Sequence, residues 1–388
     1  MAKERFTWYE FFAGGGLARL GLGAKWRCIF ANEWCEKKAA AYRAYFGKSP
    51  ELKVEDVAKL SIEDLPGEPC LAWASFPCQD LSLAGAGAGL DGERSGTFRP
   101  FWSLISCIAQ QARGPKLIVL ENVVGALMSH KGSDFAVIVR AFADGGYRLG
   151  AVVIDAVHFL PQSRPRLFVI GVERDVSLAP ELICVAPSEP WHPSFLLRAH
   201  ASLPDNLKRH WVWWNLPVPS QTASSLASVI EEEPTATSWH TEAETKRLLG
   251  LMSPLHRKKV AKTAQLKGRY VGTIYKRTRP NEDGVMAQRA EVRFDGISGC
   301  LRTPVGGSSR QTVIVVEDGS IRTRLLSPRE AARLMGVSDD YPLPASYNEG
   351  YHIFGDGVAV PVVGWLEKHL LRPLAEASHT AEATKNIA

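Results

Sequence analysis

Four short stretches place reactive side chains where strands end. Cys78 stands in Ser75-Phe76-Pro77-Cys78-Gln79-Asp80-Leu81-Ser82, just past the apolar run Leu71–Ser75. A thiol at the carboxyl edge of a sheet sits where ligands bind in α/β folds. It becomes a nucleophile when its surroundings favour the thiolate; the alternative is a small buried packing residue. Glu121 follows the apolar run Leu117–Leu120. Desolvation there would raise its pKa and suit it to proton donation near neutral pH, with a helix-capping Glu-Asn pair as the alternative. In Pro161-Gln162-Ser163-Arg164-Pro165-Arg166, two arginines alternate along an extended segment and so face one side. Such a pair suits a carbonyl oxygen, a carboxylate or a phosphate, or forms surface salt bridges. Lastly, Phe11-Phe12-Ala13-Gly14-Gly15-Gly16 ends a strand in glycines that admit a ligand to the backbone, and the next helix offers free N–H donors. Glu33 lies about 20 residues further on, where an acid holds ribose hydroxyls or caps a helix. Asp56 would meet an adenine edge or solvent.

These residues need a frame. Thr7–Ala13, Arg27–Asn32, Leu71–Ser75, Leu117–Leu120, Ala151–Ala156 and Leu167–Gly171 read as strands, with helices over Leu17–Gly23 and up to Ala44. Strands alternating with helices imply βαβ units and a doubly wound, mostly parallel sheet. No GxxxxGK[ST] is present, which argues against a phosphate-hydrolysing P-loop. The glycine spacing differs from GxGxxG, leaving open a nucleoside cofactor other than NAD. From about Ala186 to Ser225 prolines punctuate the chain between Trp191, Trp211, Trp213 and Trp214, which suggests a domain boundary near 180–195. The tryptophans at 211–214 read as small-domain core rather than a base wedge. Ser327, Pro328 and Glu330 form a helix-start signature. Gly364–Leu374 reads as a last amphipathic helix and Ala375–Ala388 as a disordered tail.

The 388 residues are 45% hydrophobic and 22% charged, an ordinary globular composition. A length of that order fits two domains, or one with an insertion. No apolar run approaches a membrane span, and the charged start leads into no signal core, so secretion is not expected. Seven cysteines without a CxxC pair disfavour a disulfide framework or a zinc site and favour a reduced cytosol. The six besides Cys78 are assigned to packing, and no metal is expected. The net charge of +5 is uneven: Lys246 to Arg310 carries 15 Lys and Arg against 4 Asp and Glu. The remainder is therefore slightly acidic. That basic stretch, interleaved with Tyr270 and Tyr275, is either a solvated surface or a phosphate-contacting one.

In order and content the four stretches resemble the DNA (cytosine-5) methyltransferase family. The matches are FAGGG at 12–16, NEW at 32–34, PCQ at 77–79 with Ser82, ENV at 121–123, QSRPR at 162–166, RLLSPREAARLMG at 324–336 and FGDGVAVPVV at 354–363. The resemblance implies a Rossmann-like catalytic domain over 1–185, a target-recognition domain and hinge over 186–349, a returning catalytic segment over 350–376 and a flexible tail over 377–388. It implies S-adenosyl-L-methionine as cofactor, with Phe12, Ala13, Gly14 and Gly16 lining its pocket. Glu33 would hold the ribose, Trp34 would pack on the adenine and Asp56 and Val57 would reach the adenine edge. Pro77, Phe98, Asp356 and Val358 would complete the site. Cys78 would be the nucleophile and Glu121 would contact the target ring. Arg164 and Arg166 would position the cytosine and the Cys78 loop, with Gln79, Ser82, Asn122 and Gln162 on the substrate side.

The chain departs from the family at two places. The acid opening the first motif is usually Asp and is Glu10 here. The late motif usually reads GNSV and is Gly355-Asp356-Gly357-Val358, so a hydroxyl is missing at Gly357. The implied enzyme is a monomeric, cytoplasmic, bacterial-type methyltransferase acting on double-stranded DNA, the modification half of a restriction–modification pair whose endonuclease acts separately. An RNA cytosine-5 methyltransferase on the same scaffold and a catalytically silent DNA-binding protein are the alternatives.

Overall fold

In the computed structural model, which describes residues 5–76, 97–219, 225–280, 284–303 and 309–385, the alternation of apolar runs and helices builds a seven-stranded sheet. In chain order come β1 (Phe6–Phe11), α1 (Leu17–Leu22), β2 (Trp26–Glu33), α2 (Glu36–Phe46), β3 (Leu52–Val54) and β4 (Leu71–Ala74). They are followed by α3 (Phe98–Gln110), β5 (Leu117–Val123), α4 (Ser133–Asp144), β6 (Tyr147–Asp155) and β7 (Pro165–Glu173). The sheet order is β3-β2-β1-β4-β5-β7-β6. β1 to β5 pair in parallel, and β7 runs antiparallel to both its neighbours. Every residue of β4 is buried, as is all of β5 up to Asn122. Helices on both faces explain why these strands read as unbroken apolar runs. The strand order reverses beside β1, which opens a crevice at the carboxyl ends of β1 and β4.

β6 begins at Tyr147, four residues before the start expected from the apolar run, and passes through Gly150. A Cβ on Gly150 would lie 2.0 Å from the Val212 carbonyl oxygen and 2.7 Å from Trp214 Nε1. The glycine makes room for another segment rather than ending a strand. That segment carries β8 (Ile183–Cys184), α5 (Ser194–Ala201), α6 (Asp205–Lys208) and β9 (Trp213–Trp214). Trp191 and Trp214 are buried, and Trp191 Nε1 donates to the Leu216 carbonyl at 2.8 Å. The tryptophans expected in a small-domain core therefore pack in the sheet-bearing unit. The prolines break periodicity without marking a boundary there.

Two compact units result: Met1–Asp155 with Pro165–Pro219 and Val358–Ala388, and Ala156–Arg164 with Ser220–Gly357. The second contains α7 (Leu226–Val229), α8 (Glu242–Gly250), α9 (Pro254–Ala264), β10 (Arg269–Pro280) and β11 (Met286–Arg293). β12 (Thr312–Glu317), β13 (Ser320–Leu325), α10 (Pro328–Leu334) and α11 (Tyr347–Asp356) complete it. Its antiparallel sheet has the order β11-β10-β12-β13, over a core that includes Leu248, Met252, Val260, Ile274 and Ile314. The expected helix start is present as a capping box: Glu330 N–H donates to Ser327 Oγ at 3.1 Å, and Ser327 N–H donates to Glu330 Oε2 at 2.7 Å. Glu330 also pairs with Arg324 at 2.6 Å, both side chains fully buried.

Back in the first unit, α12 (Val360–Leu366) leads through one π-turn, Glu367–Leu371, into α13 (Arg372–Lys385). A Cβ on Gly21 of α1 would lie 2.4 Å from the Val363 Cβ, so α12 seats directly on α1. The chain expected to be a disordered tail from Ala375 is helical as far as Lys385. Its composition misled because Ala375 and Ser378 are small in order to be buried: both are essentially inaccessible, and small side chains let a helix approach closely. No helix among the described residues is long and apolar enough to cross a membrane.

Candidate active site

The crevice beside β1 is shaped by a turn whose backbone is mostly left-handed. Phe12, Gly14 and Gly16 have φ of 58°, 58° and 79°. The Ala13 N–H donates to the Asn32 carbonyl at 2.8 Å, tying the turn to the end of β2. At Gly16 a side chain is excluded, since a Cβ would meet Phe46 Cε2 at 2.3 Å. At Gly14 the direction a Cβ would take is open, with no atom within 4 Å. Beside this open side Glu33 is fixed, its Oε2 accepting from Gly14 N–H at 2.8 Å and its Oε1 from Cys35 N–H at 2.9 Å. Glu33 is only 3% exposed, and two backbone donors hold its carboxylate with one lone pair on each oxygen still available. The next residue, Trp34, is 66% exposed, a large apolar ring left without cover beside a buried acid. An exposed ring, an anchored carboxylate and a turn open at Gly14 suit an adenosine-type ligand.

The remaining expected cofactor residues of this unit are placed as follows. Asp56 caps the turn over Val57–Lys59 by accepting from Ala58 N–H at 2.9 Å. Val57 and Phe98 are buried in the core, the Phe98 ring 5.8 Å from that of Phe76. Val358 is buried just before α12. Pro77, Cys78, Gln79 and Ser82 lie outside the described residues, which reach Phe76 just past the carboxyl edge of β4.

Glu121 and Arg166 meet at that edge. β7 is antiparallel, so its first residues rather than its last reach the carboxyl end of β5. Arg166 Nε lies 3.3 Å from Glu121 Oε1, and both side chains are largely buried. Asn122 braces the strand end: its Nδ2 donates to the Phe76 carbonyl at 3.3 Å, and its Oδ1 accepts from Val123 N–H. A carboxylate so oriented can hydrogen-bond a heterocyclic ring.

Arg164 does not share a face with Arg166. It belongs to the second unit and is 1% exposed. Its Nη1 donates to the Leu301 carbonyl at 2.9 Å, and its Nη2 donates to the carbonyls of Gly355 and Gly357 at 2.9 and 2.7 Å. Gln162 is equally buried. Its Nε2 donates to the Leu334 carbonyl at 2.6 Å and its Oε1 accepts from Leu301 N–H at 3.1 Å. Alternation along a strand fails here because the extended strand begins only at Pro165. Asp356, also in the second unit, accepts from Thr303 Oγ1.

One buried group escaped the sequence reading of roles. Glu10, 1% exposed at the end of β1, has its carboxyl pushed up to about 8 by burial, against the pull of the Arg19 guanidinium. Tyr42 Oη donates to it at 3.4 Å, and Arg19 Nη1 donates to Tyr42 Oη at 2.7 Å while pairing with Glu51. The only signal in the sequence was Glu in place of the family's usual Asp.

Sheet order, reversal point, glycine turn and clamped acid together define an α/β methyltransferase fold. Residues 6–372 match the family model described as C-5 cytosine-specific DNA methylase. The chain belongs to that family, whose members are DNA (cytosine-5) methyltransferases. It is similar to the Type II methyltransferase M.BsuFI of Bacillus subtilis, with 28% identity over 92% of this chain and 71% of the relative. It is also similar to the Type II methyltransferase M.HpaII of Haemophilus parainfluenzae, with 26% identity over 96% of this chain and 91% of the relative. Among solved structures, an Entamoeba histolytica methyltransferase, EhMeth, superimposes with a TM-score of 0.64 at 14% identity, covering 96% of this chain and 99% of that one. At that identity the likeness speaks to the fold.

Proposed function

We propose that the protein methylates carbon 5 of cytosine in a specific sequence of double-stranded DNA, through a covalent adduct on Cys78. The observation that carries this reading is the buried Glu121–Arg166 pair at the same sheet edge as the Gly14–Glu33 turn. S-adenosyl-L-methionine, when bound, supplies the electrophilic methyl group that carbon 5 acquires. Glu33, with Gly14 behind it, holds the ribose hydroxyls; Trp34 covers the adenine; Phe12, Ala13, Gly16, Val57, Phe98 and Val358 shape the walls. Asp56 meets the adenine edge, with Pro77 completing the site.

Carbon 5 of cytosine is a poor nucleophile. Cys78 thiolate adds to carbon 6 while Glu121 hydrogen-bonds or protonates ring nitrogen 3, which converts the ring to an enamine. Arg166 holds Glu121 in place for this step. Arg164 and Gln162 fix the chain that leads into Arg166, and Asn122 braces Glu121 from behind. Gln79 and Ser82 serve the substrate side of the Cys78 loop. After carbon 5 gains the methyl group, loss of its proton to a base and departure of Cys78 restore the aromatic ring. A duplex hides the reacting face, so the cytosine is flipped out of the stack. The names of the similar Type II methyltransferases support a role as the modification enzyme of a restriction–modification system; we propose further that it acts as a cytoplasmic monomer apart from its endonuclease.

The test is incubation of the protein with unmodified duplex DNA and S-adenosyl-L-methionine, followed by base-resolution mapping of 5-methylcytosine. Methylation at one sequence, lost in Cys78→Ala, is the expected result. Methyl transfer to tRNA alone, or full activity in Cys78→Ala, would overturn the reading.

A further inference from the structure

β10 outruns its sheet. β12 pairs with it only from Arg269 to Ile274, whereas β11 pairs with it from Thr273 to Pro280. Beyond Ile274 the two strands extend as a two-stranded ribbon; at its root Ser309 Oγ accepts from Lys276 N–H at 3.1 Å and donates to the Lys276 carbonyl at 3.0 Å, and Ala290 N–H donates to the Leu251 carbonyl at 3.1 Å. Arg277, Thr278, Met286 and Gln288 on this ribbon are exposed.

The register gives the ribbon two chemically different faces. On one, Arg277 stands directly opposite Arg289, and Tyr275 opposite Glu291. Directly opposed like charges destabilise a strand pair, and Glu291, 3.5 Å from Arg277 Nε, is one carboxylate against several guanidinium groups. Arg277 and Arg302 both lie over the Tyr275 ring, at 5.1 and 5.7 Å from its centre. The other face pairs Thr278 with Gln288, next to Lys276, side chains that offer both donors and acceptors.

We infer that this ribbon enters the major groove of the substrate duplex, with Gln288 and Thr278 reading base edges and Arg277, Arg289 and Arg302 contacting backbone phosphates. The inference rests on the reading of duplex DNA as substrate. A two-stranded ribbon fits a major groove about 12 Å wide, and glutamine pairs in bidentate fashion with adenine. An anion lying along the opposed arginines removes the repulsion that the free strand pair carries. Phosphate contacts position a protein on DNA, and base contacts specify the sequence, so the two faces make separable predictions.

The test compares wild type, Gln288→Ala and the pair Arg277→Gln/Arg289→Gln, with the single arginine variants alongside. All the substitutions are at non-core positions; Gln288→Ala is expected to leave thermal unfolding unchanged, and the arginine variants to leave it unchanged or raise it slightly. For Gln288→Ala, mapped 5-methylcytosine should show relaxed preference at one base pair of the site, with about five- to hundredfold less discrimination there. For the double arginine variant, binding to cognate and non-cognate duplexes should weaken alike. The slope of log affinity against log salt should shrink by about 0.9 for each arginine removed. An unchanged mapped site in Gln288→Ala together with an unchanged salt slope in the arginine variants would overturn the inference. Wild type that leaves duplex DNA unmethylated would instead overturn the functional reading beneath it.

Discussion

Glu33 and Glu10 stand near the ends of neighbouring strands, both buried, and their surroundings give them opposite uses. Glu33 is clamped by two N–H donors and keeps acceptor capacity facing an open side. Losing a charge-assisted hydrogen bond costs about 1.5–3 kcal/mol, so Glu33→Ala should weaken S-adenosyl-L-methionine binding roughly ten- to hundredfold. Calorimetric titration measures this, and unchanged affinity would remove Glu33 from the site. Glu10 is different, because burial pushes its carboxyl up to about 8. The folded protein holds that proton where the unfolded chain has released it. The contribution to stability is thus fully present below the ordinary carboxylate range and is lost as pH rises toward 8. Wild type should lose stability from pH 5 to pH 8, on the order of a few kcal/mol, and Glu10→Gln should flatten that slope. Urea denaturation at the two pH values tests this, and parallel slopes in both proteins would contradict it.

At the level of elements, the Arg324–Glu330 pair is the most exacting feature of the second unit. Both side chains are inaccessible, the Arg324 guanidinium lies 4.9 Å from the Trp239 ring centre, and Glu330 also forms the capping box of α10. Removing one member of a buried pair strands the other, at about 3–5 kcal/mol. Arg324→Met should lower unfolding stability by that order, and a loss under 1 kcal/mol would show that the site relaxes. The capping box was legible in the sequence because local spacing encodes it. The strand bearing Glu121 was legible too, since burial on both faces leaves the unbroken apolar run Leu117–Leu120. What the sequence hid depends on non-local approach. β6 was expected from Ala151 and starts at Tyr147, with Gly150 inside it making room for Val212. Arg164 looked like a partner of Arg166, yet the carbonyls of Leu301, Gly355 and Gly357 claim it, and nothing within the QSRPR motif announces residues so distant in the chain. Ala375 and Ser378 looked like tail and are buried.

For the whole molecule, the two units have distinct cores, one beneath the seven-stranded sheet and one beneath β10 to β13. A ligand that binds only folded protein stabilises it by about 2.7 kcal/mol at a hundredfold excess over Kd. S-adenosyl-L-methionine should therefore slow amide exchange chiefly in residues 6–60, with β10 to β13 little changed. Exchange followed by mass spectrometry decides this, and protection centred on β10 to β13 would place the cofactor elsewhere.

The contact between Gly21 and Val363 has a consequence for how the protein is made. α1 emerges from the ribosome early, but the helix that covers it is synthesised only after the whole second unit. At synthesis rates of about 5–20 residues per second that interval is roughly 20–70 s. Throughout it the glycine turn and Glu33 exist without α12 to brace the helix that follows them. The nascent chain therefore completes its second unit before its first, and the sheet-bearing unit closes last.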